Sequence, residues 1–305
     1  MKQCNYTNNE KLDISREIKP ITEQMITKDY LKLINIGINS QNESPRCRTG
    51  NNTVDYFTFH ERLNTKGKYN TNYYEFICNL DEFKKKKFIQ NMLNYYHTKN
   101  HTKKNKKKEQ VILKETYNIC ISAVNIFRPL VAMDIYNKYT PKSVLDFSCG
   151  WGGRLIGACA LNIKKYTGID INNNLQEPYL QMTTFLNKHS TTNINMIFQD
   201  ATTIDYSLLY YDMVLTSPPY YGIEKYSNNK EYKTKTDMNV NFYIPLITNT
   251  FKYLQKNGHF CLNVNNEIYK NVCIQLLGEA NEIIQLKKSK RQNNYTENIY
   301  IWIKK

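Results

Sequence analysis

The sequence lacks several features that would each identify a class of protein. Its eight cysteines are scattered singly, with no Cys-x-x-Cys pair and no Cys/His group at ligand spacing. We therefore expect reduced thiols and no metal site. It also has no run of about 18 apolar residues, the length that a transmembrane helix requires. The first residues lack the apolar core of a signal peptide, which predicts an intracellular protein with no membrane partner.

Two common nucleotide-binding patterns are missing as well. Glycines stand at Gly150 and Gly152, but the third position of Gly-x-Gly-x-x-Gly is Leu155. This departure argues against NAD or FAD as the ligand. No Gly-Lys-Ser/Thr follows the glycines, which excludes a P-loop.

Acidic residues are too few to balance the basic ones. The chain has 42 Lys and Arg against 27 Asp and Glu, a net charge of +15. Up to Thr140 there are 24 basic and 14 acidic residues, so most of the excess lies in the N-terminal part. This distribution is typical of a surface that meets nucleic acid. The alternative is that part of the lysine excess has no function, because an A/T-rich genome favours Lys, Asn, Ile and Tyr, in which this chain is rich.

The N-terminal part shows little regular periodicity. Residues 1–80 have no sustained hydrophobic period, which predicts mixed, partly irregular structure. Apolar residues recur at helical spacing in Phe83–Tyr96 and again in Gln110–Tyr139, with an interruption at Pro129. Between these two segments lies the polar, basic run HTKNHTKKNKKKEQ, which we expect to be a solvated loop or helix end.

After Pro141 strands alternate with helices, the pattern of a doubly wound parallel sheet. The predicted strands are Ser143–Ser148, Lys165–Asp170, Asn193–Gln199, Tyr211–Thr216 and His259–Val264. The predicted helices are Arg154–Leu161, Leu175–Lys188, Val240–Leu254 and Glu267–Glu279. The last residues read as two strands with no helix between them. We therefore predict an α/β fold of five parallel strands plus a C-terminal antiparallel hairpin, seven strands in all.

The segment SVLDFSCGWGGRLIGA places glycines where a buried strand turns into a helix. Gly150, Gly152 and Gly153 allow a sharp turn and a close approach of the backbone to a ligand, and the helix that follows offers free N–H groups.

Acids stand at the carboxyl ends of the first three predicted strands. Asp146 suits a cationic amine, Asp170 lies where an acid would bind ribose hydroxyls, and Asp200 could accept from an adenine amino group. A single Asp at a strand end is often only a turn or capping residue. Three of them around one glycine loop indicate a nucleoside-type ligand.

DFSCGWGG resembles the first motif of class I S-adenosylmethionine-dependent methyltransferases, Asp-x-Gly-x-Gly-x-Gly, with Ser148 in place of the first glycine. Asp170 and Asp200 match the next two acidic positions of that family. The resemblance covers Phe127–Lys305 and implies S-adenosyl-L-methionine as the cofactor. The cofactor-binding residues that it implies are Asp146, Ser148, Gly150, Gly152, Asp170 and Asp200, with Phe127 and Arg128 of the upstream segment IFRPLVAMDIY.

The segment DMVLTSPPYYGIEKY resembles the (Asp/Asn/Ser)-Pro-Pro-(Tyr/Phe/Trp) motif of methyltransferases that act on exocyclic nitrogens. Proline cannot continue a strand, so Pro218 and Pro219 end the fourth strand, which the resemblance implies lies beside the cofactor. The resemblance implies that Ser217 Oγ and the Pro218 carbonyl accept hydrogen bonds from the target amine, and that Tyr220 stacks on its ring. The alternative is an ordinary Pro-Pro turn. No Pro-Cys dipeptide occurs, which argues against a C5-cytosine enzyme.

The substrate stays open between several classes. Ser217 favours N4-cytosine slightly over N6-adenine, and the leading interpretation is a site-specific DNA methyltransferase that flips its target base out of duplex DNA. The alternatives are an RNA base or protein-glutamine methyltransferase and a non-catalytic nucleic-acid-binding subunit.

The N-terminal region is expected to contact the DNA. The chain ends at its final strand, which leaves no C-terminal recognition domain. We therefore divide the chain into a basic region, residues 1–110, and a methyltransferase domain, residues 111–305. The candidate DNA contacts are Lys84–Lys87, Lys103, Lys104, Lys106–Lys108, Arg46, Arg48, Arg62 and the loop Tyr221–Asp237.

Overall fold

The computed structural model describes residues 4–101, 106–221, 230–286 and 297–305. A seven-stranded sheet lies at the centre of these residues. Its strands are β1 (Ser143–Asp146), β2 (Lys165–Asp170), β3 (Asn193–Phe198), β4 (Met213–Thr216), β5 (His259–Val264), β6 (Glu282–Leu286) and β7 (Glu297–Ile303). The strand order is β3-β2-β1-β4-β5-β7-β6.

This order confirms the predicted fold class. Strands β1 to β5 pair in parallel, and β7 runs antiparallel to both β5 and β6. The turn predicted between β6 and β7 lies outside the described residues. Because the first five strands run in one direction, their carboxyl ends meet at one edge of the sheet. That edge therefore carries the glycine loop, the acids and the Pro-Pro segment together.

Helices cover the sheet and build the N-terminal region. The N-terminal helices are α1 (Asn8–Ile18), α2 (Glu23–Ile36), α3 (Asn51–Arg62), α4 (Tyr73–Cys78), α5 (Leu80–Lys84), α6 (Lys87–His101) and α7 (Glu109–Cys120). Those nearer the sheet are α8 (Pro129–Tyr139), α9 (Gly153–Ala160), α10 (Gln176–Leu186), α11 (Lys235–Met238), α12 (Ile244–Tyr253), α13 (Asn266–Ile268) and α14 (Ile274–Leu277). No helix in the described ranges is long and apolar enough to cross a membrane.

The N-terminal 80 residues are more regular than the sequence indicated, because they are largely helical. Capping residues define where two of these helices begin. Thr7 and Glu10 form a reciprocal capping box at α1, and Asn72 and Glu75 form one at α4. Some of the many Asn and Thr residues therefore begin helices and do not form loops. Because these polar residues interrupt the apolar ones, the hydrophobic period of the helices was not visible in the sequence.

Helix α3 joins the two parts of the chain. Its Val54 and Phe57 lie in the same apolar cluster as residues of α8, α9 and α10, on one face of the sheet. Its Phe59 lies in a separate cluster formed by the N-terminal helices. A helix that buries two faces in this way holds both parts in one packed unit.

The helices of the N-terminal region pack together up to α7. Helix α7, which the sequence assigned to the methyltransferase domain, packs against α1, α4 and α6, and its Ile112 and Tyr117 lie in the N-terminal cluster. The structure therefore places the change in packing between α7 and α8, later than residue 110. Pro129 is the first residue of α8, a position where its missing N–H costs no hydrogen bond.

Two cysteines differ from the expectation of reduced thiols. Cys4 and Cys78 form a disulfide in this structure, because the N-terminal segment lies against the end of α4. The other six cysteines are free, and five of them are buried.

Candidate active site

The glycine loop between β1 and α9 has the backbone geometry that its sequence predicts. Gly150 and Gly152 adopt left-handed φ values of +56° and +86°, which only glycine adopts without strain. A Cβ on Gly153 would lie 1.8 Å from the carbonyl oxygen of Phe127, so glycine is required there for close packing. A Cβ on Gly150 would make only an ordinary van der Waals contact, at 3.8 Å from the Ser148 carbonyl oxygen, so its backbone conformation and not crowding requires glycine there.

Asp146 supports this loop from below. Its carboxylate is fully buried and accepts hydrogen bonds from Arg154 Nε at 2.6 Å and from the Tyr166 hydroxyl at 2.6 Å. Arg154 Nη2 also donates to the Ser148 carbonyl oxygen at 2.6 Å, and its guanidinium lies over the Phe127 ring. Burial alone would lower the pKa of Arg154, but the Asp146 carboxylate outweighs it and raises this pKa above its ordinary value. Arg154 therefore stays charged, and its hydrogen bonds to Asp146 and to the Ser148 carbonyl fix the loop.

Asp146 was expected to meet a cationic amine directly. In the structure its two oxygens are occupied by Arg154 and Tyr166. Because the carboxylate is fully buried and already accepts three hydrogen bonds, the geometry favours a positioning role for Asp146.

Asp170 is better placed to bind a ligand. Its oxygens accept from the Gly150 N–H at 2.8 Å and from the Asn172 N–H at 2.9 Å, and the residue is partly exposed. A carboxylate can accept about four hydrogen bonds, so it retains capacity for two hydroxyls. Burial raises the pKa of Asp170 to about 6, although the N–H groups of Asn172 and Gly150 act in the opposite direction.

Asp200 forms an ion pair with Lys230, a residue that follows the Pro-Pro segment. Its Oδ1 accepts from the Thr202 N–H at 2.9 Å and from the Thr202 hydroxyl at 2.7 Å. Its Oδ2 forms an ion pair with Lys230 at 2.5 Å. Burial raises the pKa of Asp200, but the bonds to Lys230 and Thr202 outweigh it and leave this pKa below its ordinary value. An adenine amino group would have to displace Lys230 to reach this oxygen.

The residues present fit the predicted S-adenosylmethionine. Asp170 offers acceptor capacity for ribose hydroxyls, and the lack of a side chain at Gly150 lets a ligand approach the backbone. Phe127 contributes an aromatic ring and its carbonyl at the start of α9. Arg128, by contrast, donates to the carbonyl oxygens of Pro45 and Cys47. Its guanidinium thus ties the segment between α2 and α3 to the start of α8 and is not placed as a cofactor ligand.

The Pro-Pro segment lies directly beside the glycine loop. The hydroxyls of Ser148 and Thr216 are 2.6 Å apart, and Thr216 is the last residue of β4. The next residue, Ser217, donates its hydroxyl proton to Asn263 Oδ1 at 3.0 Å. The Tyr220 hydroxyl donates to the same oxygen at 3.3 Å. Both side chains of the segment therefore converge on Asn263 at the end of β5.

The two proline carbonyls are used differently. The Pro219 carbonyl oxygen accepts a hydrogen bond from the Tyr243 hydroxyl. Within the described residues, no group donates to the Pro218 carbonyl, which leaves it able to accept a hydrogen bond from a substrate. Tyr243 ends a π-helical stretch, Asn239–Tyr243, that leads into α12. Such stretches often occur at functional sites, because the extra residue redirects a side chain.

The sequence did not identify these supporting residues. Asn263 and Tyr243 are buried and stand in segments that read as an ordinary strand and helix. The Thr58 hydroxyl of α3 donates to the Trp151 carbonyl of the glycine loop at 3.1 Å, and Glu61 accepts from Asn172 at 3.0 Å. Only the three-dimensional contacts reveal that α3 supports both cofactor loops. The one available signal for Asn263 was a polar residue inside the otherwise apolar strand β5, which follows the Pro-Pro segment in the chain.

The basic residues proposed as nucleic-acid contacts fall into different environments. Arg62 is buried and paired with Asp55, so the structure does not offer it to nucleic acid. Lys84 and Lys85 form exposed ion pairs with acids of their own helical turn. Arg46 and Arg48 are exposed. Lys103, Lys104 and residues 222–229 of the loop lie outside the described residues.

Another group of lysines lies on exposed aromatic rings. Lys68 Nζ is 5.2 Å from the ring centre of Tyr69 and 5.9 Å from that of Phe88, and Lys86 Nζ is 4.5 Å from that of Tyr69. Tyr69 and Phe88 remain 39% and 43% exposed. We call these four residues the lysine–aromatic surface.

A family model described as RNA cap guanine-N2 methyltransferase matches residues 141–305. No curated protein matches the chain.

Solved structures of methyltransferases resemble the chain only distantly. TrmN from Thermus thermophilus is 14% identical, with a TM-score of 0.43, and the alignment covers 58% of this chain and 48% of TrmN. The chain thus spans about half the length of TrmN. A class I S-adenosylmethionine-dependent methyltransferase from Listeria monocytogenes, described as putative, is 12% identical, with a TM-score of 0.45. That alignment covers 92% of this chain and 88% of the Listeria protein.

Proposed function

Because the chain belongs to the RNA cap guanine-N2 methyltransferase family and is an S-adenosylmethionine-dependent methyltransferase, we propose that it methylates the exocyclic amino group of a nucleobase, with guanine N2 in RNA as the first candidate. The observation that carries this proposal is the position of Ser217 and Pro218. The contact between Ser148 and Thr216 joins their segment to the glycine loop, so a hydroxyl and a free carbonyl lie beside the cofactor site.

These two acceptors suit an exocyclic amine. The lone pair of such an amine is delocalised into the ring, which makes the nitrogen a weak nucleophile. Acceptors that bind its N–H groups favour a pyramidal nitrogen and disperse the positive charge that develops during the attack. Ser217 Oγ and the Pro218 carbonyl oxygen would each bind one N–H. Tyr220 would hold the base ring by stacking, which fixes the distance between the reacting groups.

Other residues would hold the cofactor. When bound, S-adenosylmethionine supplies an activated methyl group on a sulfonium. Asp170 would accept its ribose hydroxyls, and Asp200 its adenine amino group once Lys230 has moved. Asp146 and Ser148 would keep the glycine loop in shape, because both lie in the hydrogen-bond network of Arg154. Gly150 and Gly152 would provide the close backbone approach.

The lysine–aromatic surface is the contact that we propose for the nucleic acid. Exposed rings beside cations are typical of proteins that bind single strands, because bases stack on the rings and lysines meet the phosphates. This surface is linked to the site through the backbone. The Lys68 N–H donates to the carbonyl of Ile121 at 3.3 Å, and the chain continues from there to Phe127 at the glycine loop.

DNA is the second candidate substrate. The observation in its favour is the Ser217–Tyr220 motif itself, which resembles that of enzymes acting on N4 of cytosine or N6 of adenine. The acceptors at Ser217 and Pro218 would serve any of these amines. In duplex DNA the base would first have to leave the stack, at a cost of a few kcal/mol.

The test is product analysis. Purified protein is incubated with isotope-labelled S-adenosylmethionine and, in separate reactions, capped RNA, uncapped RNA, single-stranded DNA and duplex DNA, and nucleosides are identified by mass spectrometry. Labelled N2-methylguanosine in RNA is the expected result. Labelled N4-methylcytosine or N6-methyladenine in DNA would establish the second candidate instead. Label on no nucleobase amine, with cofactor binding intact, would overturn both.

The variant Ser217→Ala tests whether the methylated product is formed at the proposed site. Loss of one preorganised polar contact in the transition state costs on the order of 10²–10³-fold in rate. The variant should bind the cofactor like the wild type, because Ser217 contacts Asn263 and not the glycine loop. Wild-type turnover by this variant would place the reaction elsewhere.

A further inference from the structure

Asn263 is the residue on which the candidate base site converges. It lies near the end of β5, is only 1% exposed, and its Oδ1 accepts the hydroxyl protons of both Ser217 and Tyr220. Its Nδ2 donates to the carbonyl oxygen of Asn298 in β7 at 3.0 Å. A buried amide with hydrogen bonds on both of its ends has one fixed orientation.

The fixed orientation decides what Ser217 can do. A serine hydroxyl has one proton and two lone pairs, and it rotates to suit its neighbours. Because Asn263 Oδ1 takes the proton, the lone pairs of Ser217 remain for another donor. If the amide were reversed, its NH₂ would face Ser217 and would occupy a lone pair instead. The Asn298 carbonyl prevents that reversal, because it can only accept.

We propose that Asn263 is a positioning residue that holds Ser217 as a hydrogen-bond acceptor and thereby selects an amino group as the methyl acceptor. This inference rests on the proposed function and extends it, because it explains how the site distinguishes an amine from a carbonyl at the same place on a base. A carbonyl brings no proton for Ser217 to accept. A buried acceptor left without a donor disfavours such a base.

The same amide holds Tyr220. The Tyr220 hydroxyl lies 3.3 Å from Asn263 Oδ1 and 3.4 Å from the Asn263 carbonyl oxygen. The sequence suggested a role only for its ring. In the structure the hydroxyl anchors the ring to β5, so Tyr220→Phe should keep the stacking surface but loosen its position.

The experiment combines single-turnover kinetics with a double-mutant cycle. Asn263→Leu removes the amide at similar volume, and we expect it to lower the methyl-transfer rate at saturating cofactor on the order of 10²-fold, as Ser217→Ala does. The double variant should lose little more than either single variant, because both changes remove one function. Fully additive losses, or a near-wild-type rate in Asn263→Leu, would overturn the inference.

A binding measurement separates positioning from simple structural support. The affinity of the wild type for RNA containing guanosine is compared with that for RNA containing inosine, which lacks only the 2-amino group. We expect the wild type to favour guanosine, and Asn263→Leu and Ser217→Ala to lose that preference equally. An unchanged preference in Asn263→Leu would mean that Asn263 only supports the fold. If the product is a cytosine or adenine amine, pyrimidin-2-one or purine replaces inosine.

A second variant keeps the test decisive if Asn263→Leu does not fold. In Asn263→Asp, a protonated carboxyl can still accept from Ser217 and donate to the Asn298 carbonyl, whereas an ionised one cannot donate. The rate relative to wild type at the same pH should therefore recover as the pH falls. A pH-independent ratio would contradict the proposal. Absence of methylation by the wild type itself would refute the proposed function and is a distinct result.

Discussion

We predict that cofactor binding depends on pH through Asp170, because burial shifts the pKa of its carboxyl. Burial raises the pKa of its carboxyl from an ordinary 3.8 to about 6. Ribose hydroxyls would donate to the ionised form, so protonation competes with binding. At pH 5 about nine-tenths of these carboxyls carry a proton, and at pH 7.5 nearly all are ionised. The Kd should therefore fall about tenfold from pH 5 to pH 7.5.

The assay is calorimetric titration with S-adenosylhomocysteine, whose amino group stays protonated over this range. Asp170→Asn should bind more weakly and with little pH dependence. Asp200→Asn is the matched control, because the pKa of Asp200 lies below its ordinary value and its removal should leave the tenfold change intact. A wild-type Kd that does not change with pH, or a change that survives in Asp170→Asn, would refute the reasoning.

Stability without ligand should change in the opposite direction. Because the pKa of Asp170 is higher in the folded protein than in the unfolded chain, protonation favours the fold. This contribution is fully present below the unfolded pKa of about 4 and is lost as the pH rises through about 6. The Tm of the wild type relative to that of Asp170→Asn should therefore be higher at pH 4 than at pH 7.

Three further predictions concern the glycine loop and the nucleic-acid surface. Gly153→Ala should lower the free energy of unfolding by about 1–3 kcal/mol or more in urea titrations, because the new Cβ would lie 1.8 Å from the Phe127 carbonyl oxygen; an unchanged midpoint would contradict this packing. Replacing both lysines of the lysine–aromatic surface with glutamine should reduce the salt slope of single-stranded RNA binding by about 0.7 per lost phosphate contact. Replacing its two aromatic residues with alanine should cost about 1–3 kcal/mol per stacked base in anisotropy titrations. Lys28→Gln and Lys32→Gln, at exposed positions of α2, are the controls, and equal losses in them would argue against a specific surface.

Much of the catalytic half was predictable from the sequence. The five parallel strands, and the acids at the carboxyl ends of the first three, are visible as local hydrophobic runs that end in Gly, Asp or Pro. The residues that form each such signal lie within a few positions of one another. The positions of Gly150 and Asp170 in the structure agree with that interpretation, since the Gly150 N–H donates to Asp170. The helical N-terminal region was less predictable, because its Asn and Thr residues serve as caps and its apolar residues divide between two clusters.

The sequence by itself determined the strands, the glycine loop and the presence of the Ser217–Tyr220 motif, because each depends on residues that are neighbours along the chain. Only the tertiary structure decided how those residues are held. Asn263 is 46 residues from Ser217, and Thr58 is 93 residues from Trp151. No local pattern records such contacts, because a buried Asn or Thr looks the same in sequence whether it supports a site or a turn. The parallel sheet brings β4 and β5 side by side, and this pairing brings Ser217 within hydrogen-bond distance of Asn263.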